Sequence, residues 1–316
     1  MISFLYHYVR SMRLYYCFVT GTTVLLGIVM ARCLSANADD SQPTVASKVT
    51  LLLVGFLAWG VNQIISDYLD RKEDAINAPH RPMVSGALSP RPALLLSALL
   101  MVAFAIASSC VSVWTLPVLA CGALLNAFYS FLKKVPVLNC IIYACAITCC
   151  ALFGYAGSLH RFPQTSSLLS LAFHIVPIHF LMCHNSYYKD VPGDRAAGIR
   201  TLQTCCPRYI SIAVTLGLFA AHFIYGAIHL LNAFASPIFQ QILFVLHLLT
   251  LVLLAGRHLE SILKQNYHQA TRLNCEICVC MLYTHLLKMK PVLLIPEMLS
   301  ILTIEALFLW YRDEKE

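Results

Sequence analysis

Val49-Thr-Leu-Leu-Leu-Val-Gly-Phe-Leu-Ala-Trp-Gly-Val-Asn62-Gln-Ile-Ile-Ser66-Asp67-Tyr-Leu-Asp70-Arg71-Lys72-Glu-Asp74 passes from an apolar run to a charged one with no proline between them. The run 49–66 is long enough to cross most of the ~30 Å hydrocarbon core of a bilayer as a helix. If that helix continues beyond the bilayer, Asn62, Ser66, Asp70 and Asp74 fall four apart and form one polar stripe. Asp67 stands one residue off the stripe, three before Asp70, and can also reach inward. Carboxylates one turn apart repel by a few tenths of a kcal/mol on an isolated helix. A cation between them explains the arrangement better. Mg²⁺ typically takes one or two carboxylates together with substrate phosphates.

The rest of the 316-residue chain repeats the first half of that pattern. It is 59% hydrophobic and 12% charged, half the charge of an ordinary globular domain. This excludes a soluble enzyme, intrinsic disorder and a secreted disulfide scaffold. Most of the cysteines, among them Cys110, Cys121, Cys140, Cys145, Cys149 and Cys150, sit inside apolar runs, where a thiol is a small hydrophobe. Cys205-Cys206 and Cys278-Val-Cys280 lack the spacing or partners of a zinc site. Apolar runs place membrane helices near 15–34, 49–66, 92–110, 113–132, 136–156, 166–187, 209–231, 236–255 and 291–311. The segment 258–290 has a further helical pattern, Cys275 to Leu287, interrupted by Arg272, Glu276, Lys288 and Lys290. It reads as an interfacial stretch. The expected architecture is all-α, a polytopic membrane protein with about nine helices in a single domain over 1–316.

Lys and Arg test the orientation. With nine spans and an internal N-terminus, Arg32, Lys48, Arg161, Arg312 and Lys315 fall on one side and the other 17 of the 22 on the opposite side. The bias predicts a cytoplasmic N-terminus, a C-terminus across the membrane, and both acidic loops facing the cytoplasm. The net charge of +7 then reports orientation and an anionic ligand. It is no nucleic-acid footprint, because no soluble basic domain carries it.

A second acidic cluster follows the sixth span: Tyr187-Tyr188-Lys189-Asp190-Val-Pro-Gly-Asp194-Arg195-Ala-Ala-Gly198-Ile-Arg200-Thr201-Leu. Two carboxylates again stand four apart, although Pro192 and Gly193 argue against an unbroken helix. Four helices separate the clusters, which therefore share one membrane side, and the chain reads as two pseudo-repeated halves with acidic segments at 62–86 and 187–202. Either loop alone could be a solvated charged face. Two matched acidic pairs with adjacent cations suit a Mg²⁺-bridged diphosphate. Lys133 and Lys134 are either positive-inside anchors or diphosphate ligands. Tyr129, Tyr187 and Tyr188 are either interface tyrosines or rings that face a cation. His174, His179 and His184 recur every five residues, off a common face, and read as core or cavity residues rather than haem ligands.

At these residues the chain resembles the UbiA superfamily of intramembrane prenyltransferases. Arg81-Pro82-Met-Val-Ser85-Gly86 fits the tail of the first family signature, N-x-x-x-D-x-x-x-D followed by R-P-x-x-S-G, and Asp70 and Asp74 fit its acids. Lys189-Asp190 through Leu202 resembles the second signature, and Tyr129-Ser-Phe-Leu-Lys133-Lys134 a third stretch between them. Ser66 stands where the signature has Asn, with Asn62 one turn earlier; Asp67 is an extra acid, and the second signature lacks a middle acid. The resemblance implies nine helices around a central cavity and Mg²⁺ held by Asp70, Asp74, Asp190 and Asp194, with Asp67 as a further candidate ligand. It also implies an isoprenyl diphosphate bound through Asn62, Ser66, Arg71, Lys133, Lys134, Lys189, Arg195 and Arg200, a prenyl cation facing Tyr129, Tyr187 and Tyr188, and a lipophilic acceptor, aromatic or otherwise. A terpene cyclase on the same fold ionises the same diphosphate and differs only in needing no acceptor. A transporter would place its acids near the midplane rather than at the mouth.

Overall fold

The computed structural model describes residues 2–34, 43–132, 134–162, 164–232 and 237–311, and among them it is built of helices and connecting turns. A short α1 (Ile2–Ser11) and a 3₁₀ turn (Leu14–Tyr16) lead into α2 (Cys17–Leu34). Then follow α3 (Val45–Leu69), α4 (Arg71–Asn77), α5 (Pro90–Val111), α6 (Thr115–Leu132), α7 (Leu138–Leu159) and α8 (Thr165–Ser186). After two short helices, α9 (Val191–Ala196) and α10 (Leu202–Cys205), come α11 (Arg208–Asn232), α12 (Ile238–Leu263), α13 (Tyr267–Met289) and α14 (Leu294–Trp310). Local chemistry sets several boundaries. The Ser47 N–H donates to the Thr44 hydroxyl at the start of α3 (3.1 Å), and Pro90 opens α5, where its missing N–H costs nothing.

Eight of these helices are long and apolar enough to cross a membrane, and α6 contributes a shorter apolar stretch, Thr115–Tyr129. These nine correspond to the nine expected spans. On α5 the residues Leu95, Leu99, Val102 and Ile106 are exposed, a face suited to lipid rather than water. The interior is packed closely: a Cβ on Gly154 of α7 would lie 2.3 Å from the Val24 carbonyl oxygen of α2. Only glycine permits that helix-to-helix approach.

The segment 258–290 departs from its expectation. It is not an interfacial stretch, because α13 traverses the bundle. Every residue from Leu273 to Leu287 is buried, and the helix packs against α2, α8, α12 and α14. Its far end meets the far end of α2, with Cys33 Sγ and Met289 Sδ 3.3 Å apart. Its near end lies by the last turn of α14, with the rings of His268 and Phe308 5.4 Å apart. At 1.5 Å per residue it reaches about 34 Å, the depth of a hydrocarbon core. Hydropathy misses α13 because it scores contact with lipid, and α13 touches protein all round. Arg272 can enter such a helix because Glu276 (3.5 Å) and Glu305 accompany it.

With α13 crossing, α14 is a tenth long helix that runs back toward the start of the chain. The Tyr311 hydroxyl donates to the Val9 carbonyl (3.2 Å) and accepts from the Leu14 N–H (3.3 Å). The expected separation of the two termini is thereby reversed. The charge count remains lopsided along this path, because with α13 crossing only Lys288 and Lys290 among the described residues pass to the sparse side. Reporter tags on the two ends of the full chain are expected to label from the same side of the membrane. Labelling from opposite sides would overturn the ten-helix path.

Candidate active site

The two acidic segments meet at one end of the bundle. Asp70 closes α3 and opens α4, but the helical hydrogen bonding runs through it: its N–H donates to Ser66 (2.9 Å), and the Asp74 N–H donates to Asp70 (2.9 Å). The four-residue stripe therefore survives the junction, and Asn62, Ser66, Asp70 and Asp74 all line a central cavity of 540 Å³. In the second segment the Asp194 N–H donates to the Asp190 carbonyl (2.9 Å). Pro192 sits in the first turn of α9 and leaves the spacing helical. Asp190 and Asp194 line the same cavity. Asn77 of α4 clasps α9 by accepting the Gly193 N–H on Oδ1 (2.7 Å). A Cβ at Gly193 would stand 2.4 Å from the Asn77 side chain, so glycine is required for the two segments to touch.

Arg13, Arg81 and Lys189 bring positive charge to this mouth. Arg81 pairs with Asp74. Burial nevertheless holds the Asp74 carboxyl above the ordinary carboxylate range, with Arg81 and Arg13 opposing the rise. Burial also lowers the Lys189 ammonium, with Asp190 pulling it back up. Both shifts have one cause, loss of water around charges that face each other across a narrow opening.

Below the acids the wall is aromatic. The Tyr129 and Tyr187 hydroxyls hydrogen-bond at 2.8 Å, Tyr143 lies 5.8 Å from Tyr129 between ring centres, and Tyr16 stacks on Trp59 at 4.9 Å. Asn126 Nδ2 donates to Asn62 Oδ1 (3.1 Å). Deeper still the lining is apolar, with Val54, Phe104, Leu119 and Phe153 among it. A polar, charged head and an extended apolar tail would both find matching walls here.

Several expected site residues lie elsewhere. Asp67 turns away from the cavity, where Arg13 donates to it at 2.6 Å and Gln63 at 3.0 Å. It was a further candidate metal ligand by sequence, and here it forms an ion pair with Arg13 and is not among the residues lining the cavity. Arg71 lies over the Tyr68 ring, 3.9 Å from its centre, and its Nε–H donates to the Tyr68 carbonyl (2.8 Å). Lys134, Arg195 and Arg200 are exposed outside the lining. Tyr188 points to the opposite side of its segment from Tyr187, into a cluster with Ile262 and Ala270. Lys133 lies outside the described residues. His179 and His184 are held by Thr23 (3.1 Å) and the Ser211 carbonyl (3.0 Å) respectively, which fits core histidines. Sequence reasoning had not assigned Arg13, Asn77, Asn126, Tyr16, Trp59 or Tyr143 to the site. Only Arg81, already quoted in the signature tail, carried a signal.

The two acids at the end of α3 should behave differently. Asp67→Asn leaves the Arg13 guanidinium partly buried without its counter-charge and is expected to cost about 3 kcal/mol of stability. Asp70→Asn, at the junction facing the cavity, is expected to leave thermal unfolding in detergent near that of the native chain. Equal losses in the two variants would refute the assignment of Asp67 to structure.

A digeranylgeranylglyceryl phosphate synthase from Methanothrix thermoacetophila is 30% identical over 192 residues, which cover 59% of this chain and 66% of that relative. The match thus spans just under two thirds of the relative's own length. Among solved structures, a UbiA homologue from Aeropyrum pernix K1 superposes with a TM-score of 0.62 at 15% identity, covering 85% of this chain and 96% of that one. A UbiA homologue from Archaeoglobus fulgidus, solved bound to GPP and Mg²⁺, gives 0.60 at 15% identity over 88% and 99%. The UbiA prenyltransferase family matches residues 22–287, which take in α3 to α12, most of α2 and all but the last two residues of α13, and leave α14 outside. The chain belongs to the UbiA prenyltransferase family.

Proposed function

We propose that this chain is a Mg²⁺-dependent intramembrane prenyltransferase that moves an isoprenyl group from its diphosphate to a lipophilic acceptor, with its mouth on the cytoplasmic side. The observation that carries this reading is the convergence of Asp70, Asp74, Asp190 and Asp194, from two segments, on the polar end of one apolar cavity. The donor set suits the metal, since hard divalent cations take carboxylate oxygen. A desolvated Asp74 also gains from a cation that favours its ionised form. These four acids would hold Mg²⁺, which supplies neutralisation of the charge developing on the leaving diphosphate. The relatives give this a concrete ligand class, because one UbiA homologue was solved with GPP and Mg²⁺.

The chain's own residues do the remaining work. Arg13, Arg81 and Lys189 offer N–H donors to the outer diphosphate oxygens, in surroundings where such contacts are stronger than in water. The Tyr129–Tyr187 hydrogen bond fixes two rings just below the acids, where the allylic carbon would lie once the C–O bond breaks. Ring faces stabilise a desolvated cation by ~2 kcal/mol. The apolar floor holds the prenyl tail and keeps water from capturing the cation before the acceptor does. The excess of Lys and Arg on the mouth side supports its orientation.

The test is diphosphate release from geranyl, farnesyl or geranylgeranyl diphosphate with Mg²⁺, using membranes that carry the protein. Loss of one acid that contributes ~3 kcal/mol to the transition state slows release about a hundredfold. Asp74→Asn and Asp190→Asn are each expected to do so. The double variant should be little worse, because residues serving one unit fail together. Near-normal release in either single variant would sink the shared site. The same incubation without acceptor separates the activities: cyclic hydrocarbons in the extract would make the chain a cyclase instead of a transferase.

Tyr187 and Tyr188 provide a second test, being adjacent in sequence and opposite in direction. Tyr187→Leu is expected to slow diphosphate release by more than tenfold, whereas Tyr188→Leu should act on thermal stability and leave the rate per folded molecule intact. The reverse pattern would show that the cation faces the other wall.

A further inference from the structure

Away from the acidic mouth, at the opposite end of the bundle, three helices bring together an imidazole, a thiol and a carboxylate. His247 comes from the first half of α12, Cys280 from just past the middle of α13 and Glu297 from the first turn of α14. One ligand atom from each lies within 4.8 Å of the other two, and all three residues are buried. His247 Nδ1 is 2.7 Å from Glu297 Oε1 and 3.8 Å from Cys280 Sγ. The second carboxylate oxygen, Glu297 Oε2, is buried and has no hydrogen-bond partner among the described residues. Glu297 itself is 0% exposed. A carboxylate so placed needs a proton or a cation.

We propose that His247, Cys280 and Glu297 bind a zinc ion that ties α14 to the rest of the bundle. Charge favours this: a thiolate, a carboxylate and a neutral imidazole around Zn²⁺ sum to zero, the state an apolar interior tolerates best. Softness favours it too, since zinc takes sulfur, nitrogen and oxygen together whereas Mg²⁺ prefers oxygen. Bond lengths of 2.0–2.3 Å put tetrahedral ligand atoms roughly 3.3–3.7 Å apart. The sulfur–nitrogen distance is close to this already. The nitrogen–oxygen pair has to open by roughly half an ångström, which a turn of the Glu297 carboxylate provides.

The surroundings are those of a metal-bound histidine. His247 Nε2 lies 2.9 Å from Thr284 Oγ1, which is in turn 2.9 Å from His222 Nε2. With Nε2 carrying the proton toward Thr284, the Nδ1 lone pair is aimed at Cys280 and Glu297, the arrangement in which the far ring nitrogen orients a ligating imidazole. The helix that supplies Glu297 lies beyond the family match at 22–287. The zinc ion would therefore clip the last helix onto the rest of the bundle, away from the acids that would hold Mg²⁺.

Purified full-length protein in detergent, stripped with chelator and titrated with Co²⁺, tests this. With excess Mg²⁺ present to occupy the acidic mouth, the expected result is a near-ultraviolet thiolate-to-cobalt band with visible bands of a four-coordinate site, its intensity saturating at one thiolate site per chain and bleached by Zn²⁺. Cys280→Ser should abolish the thiolate band, while Cys205→Ser and Asp74→Asn should keep it. Zn²⁺ alone should also raise the thermal midpoint of the native chain and not that of Glu297→Gln, which preserves the shape of the cluster. Absence of the band, its persistence in Cys280→Ser, or an equal thermal shift in Glu297→Gln would each reduce the cluster to a hydrogen-bonded His–Glu pair.

Discussion

Carboxylates gathered at the end of an apolar bundle repel one another while losing the water that would stabilise them. Two like charges 4 Å apart cost about 4 kcal/mol at an effective dielectric of 20. Left alone, such a cluster would splay its two segments apart or take up protons. The fold resists both. Asn77 grips the Gly193 N–H and holds the segments in contact, and Arg13, Arg81 and Lys189 supply partial compensation at the mouth. The compensation is incomplete, as the raised Asp74 carboxyl records. A divalent cation held there, as proposed, would relieve that residual imbalance.

Much of this was legible in the sequence because both acidic segments carry their geometry locally. Four-residue spacing on a helix brings side chains to one face wherever that helix sits, so Asp70 with Asp74 and Asp190 with Asp194 could be paired from letters alone. Residues whose role depends on tertiary approach could not. Arg13 meets Asp67 across 54 positions, and no local pattern marks either as half of a pair. Tyr187 and Tyr188 are equivalent as letters, and only the direction of the turn after α8 decides which one meets Tyr129. Arg71 lay within the motif and still folded back on Tyr68, since a flexible stem finds the nearest ring. Cys280 shows the same limit, for its partners lie 33 residues before it on α12 and 17 after it on α14.

Helix α13 shows why hydropathy reads the rim of a bundle better than its centre. A helix bathed in lipid must be apolar, whereas one enclosed by protein must only match its neighbours. Asn274 illustrates this, donating to the Met182 carbonyl (2.9 Å) and accepting from Asn185 (3.2 Å). Polar residues that lower its apparent suitability for a membrane are those that fix its register against α8.

The hydroxyl of Tyr311 touches the backbone at Val9 and Leu14, and thereby brings the two ends of the described chain together. The last long helix lies beside the first elements of the chain, and Arg13 of the mouth sits within that seam. In a ring the order of helices has no privileged beginning. A short peptide joining the start of α1 to the region of Tyr311, with the chain reopened away from the mouth at the loop between α7 and α8, would preserve the helices and their neighbours, a rearrangement that proteins commonly tolerate. In such a cyclic permutant a covalent strap would hold the seam that the native chain holds by the Tyr311 hydroxyl and by ring contacts such as Tyr15 with Phe308.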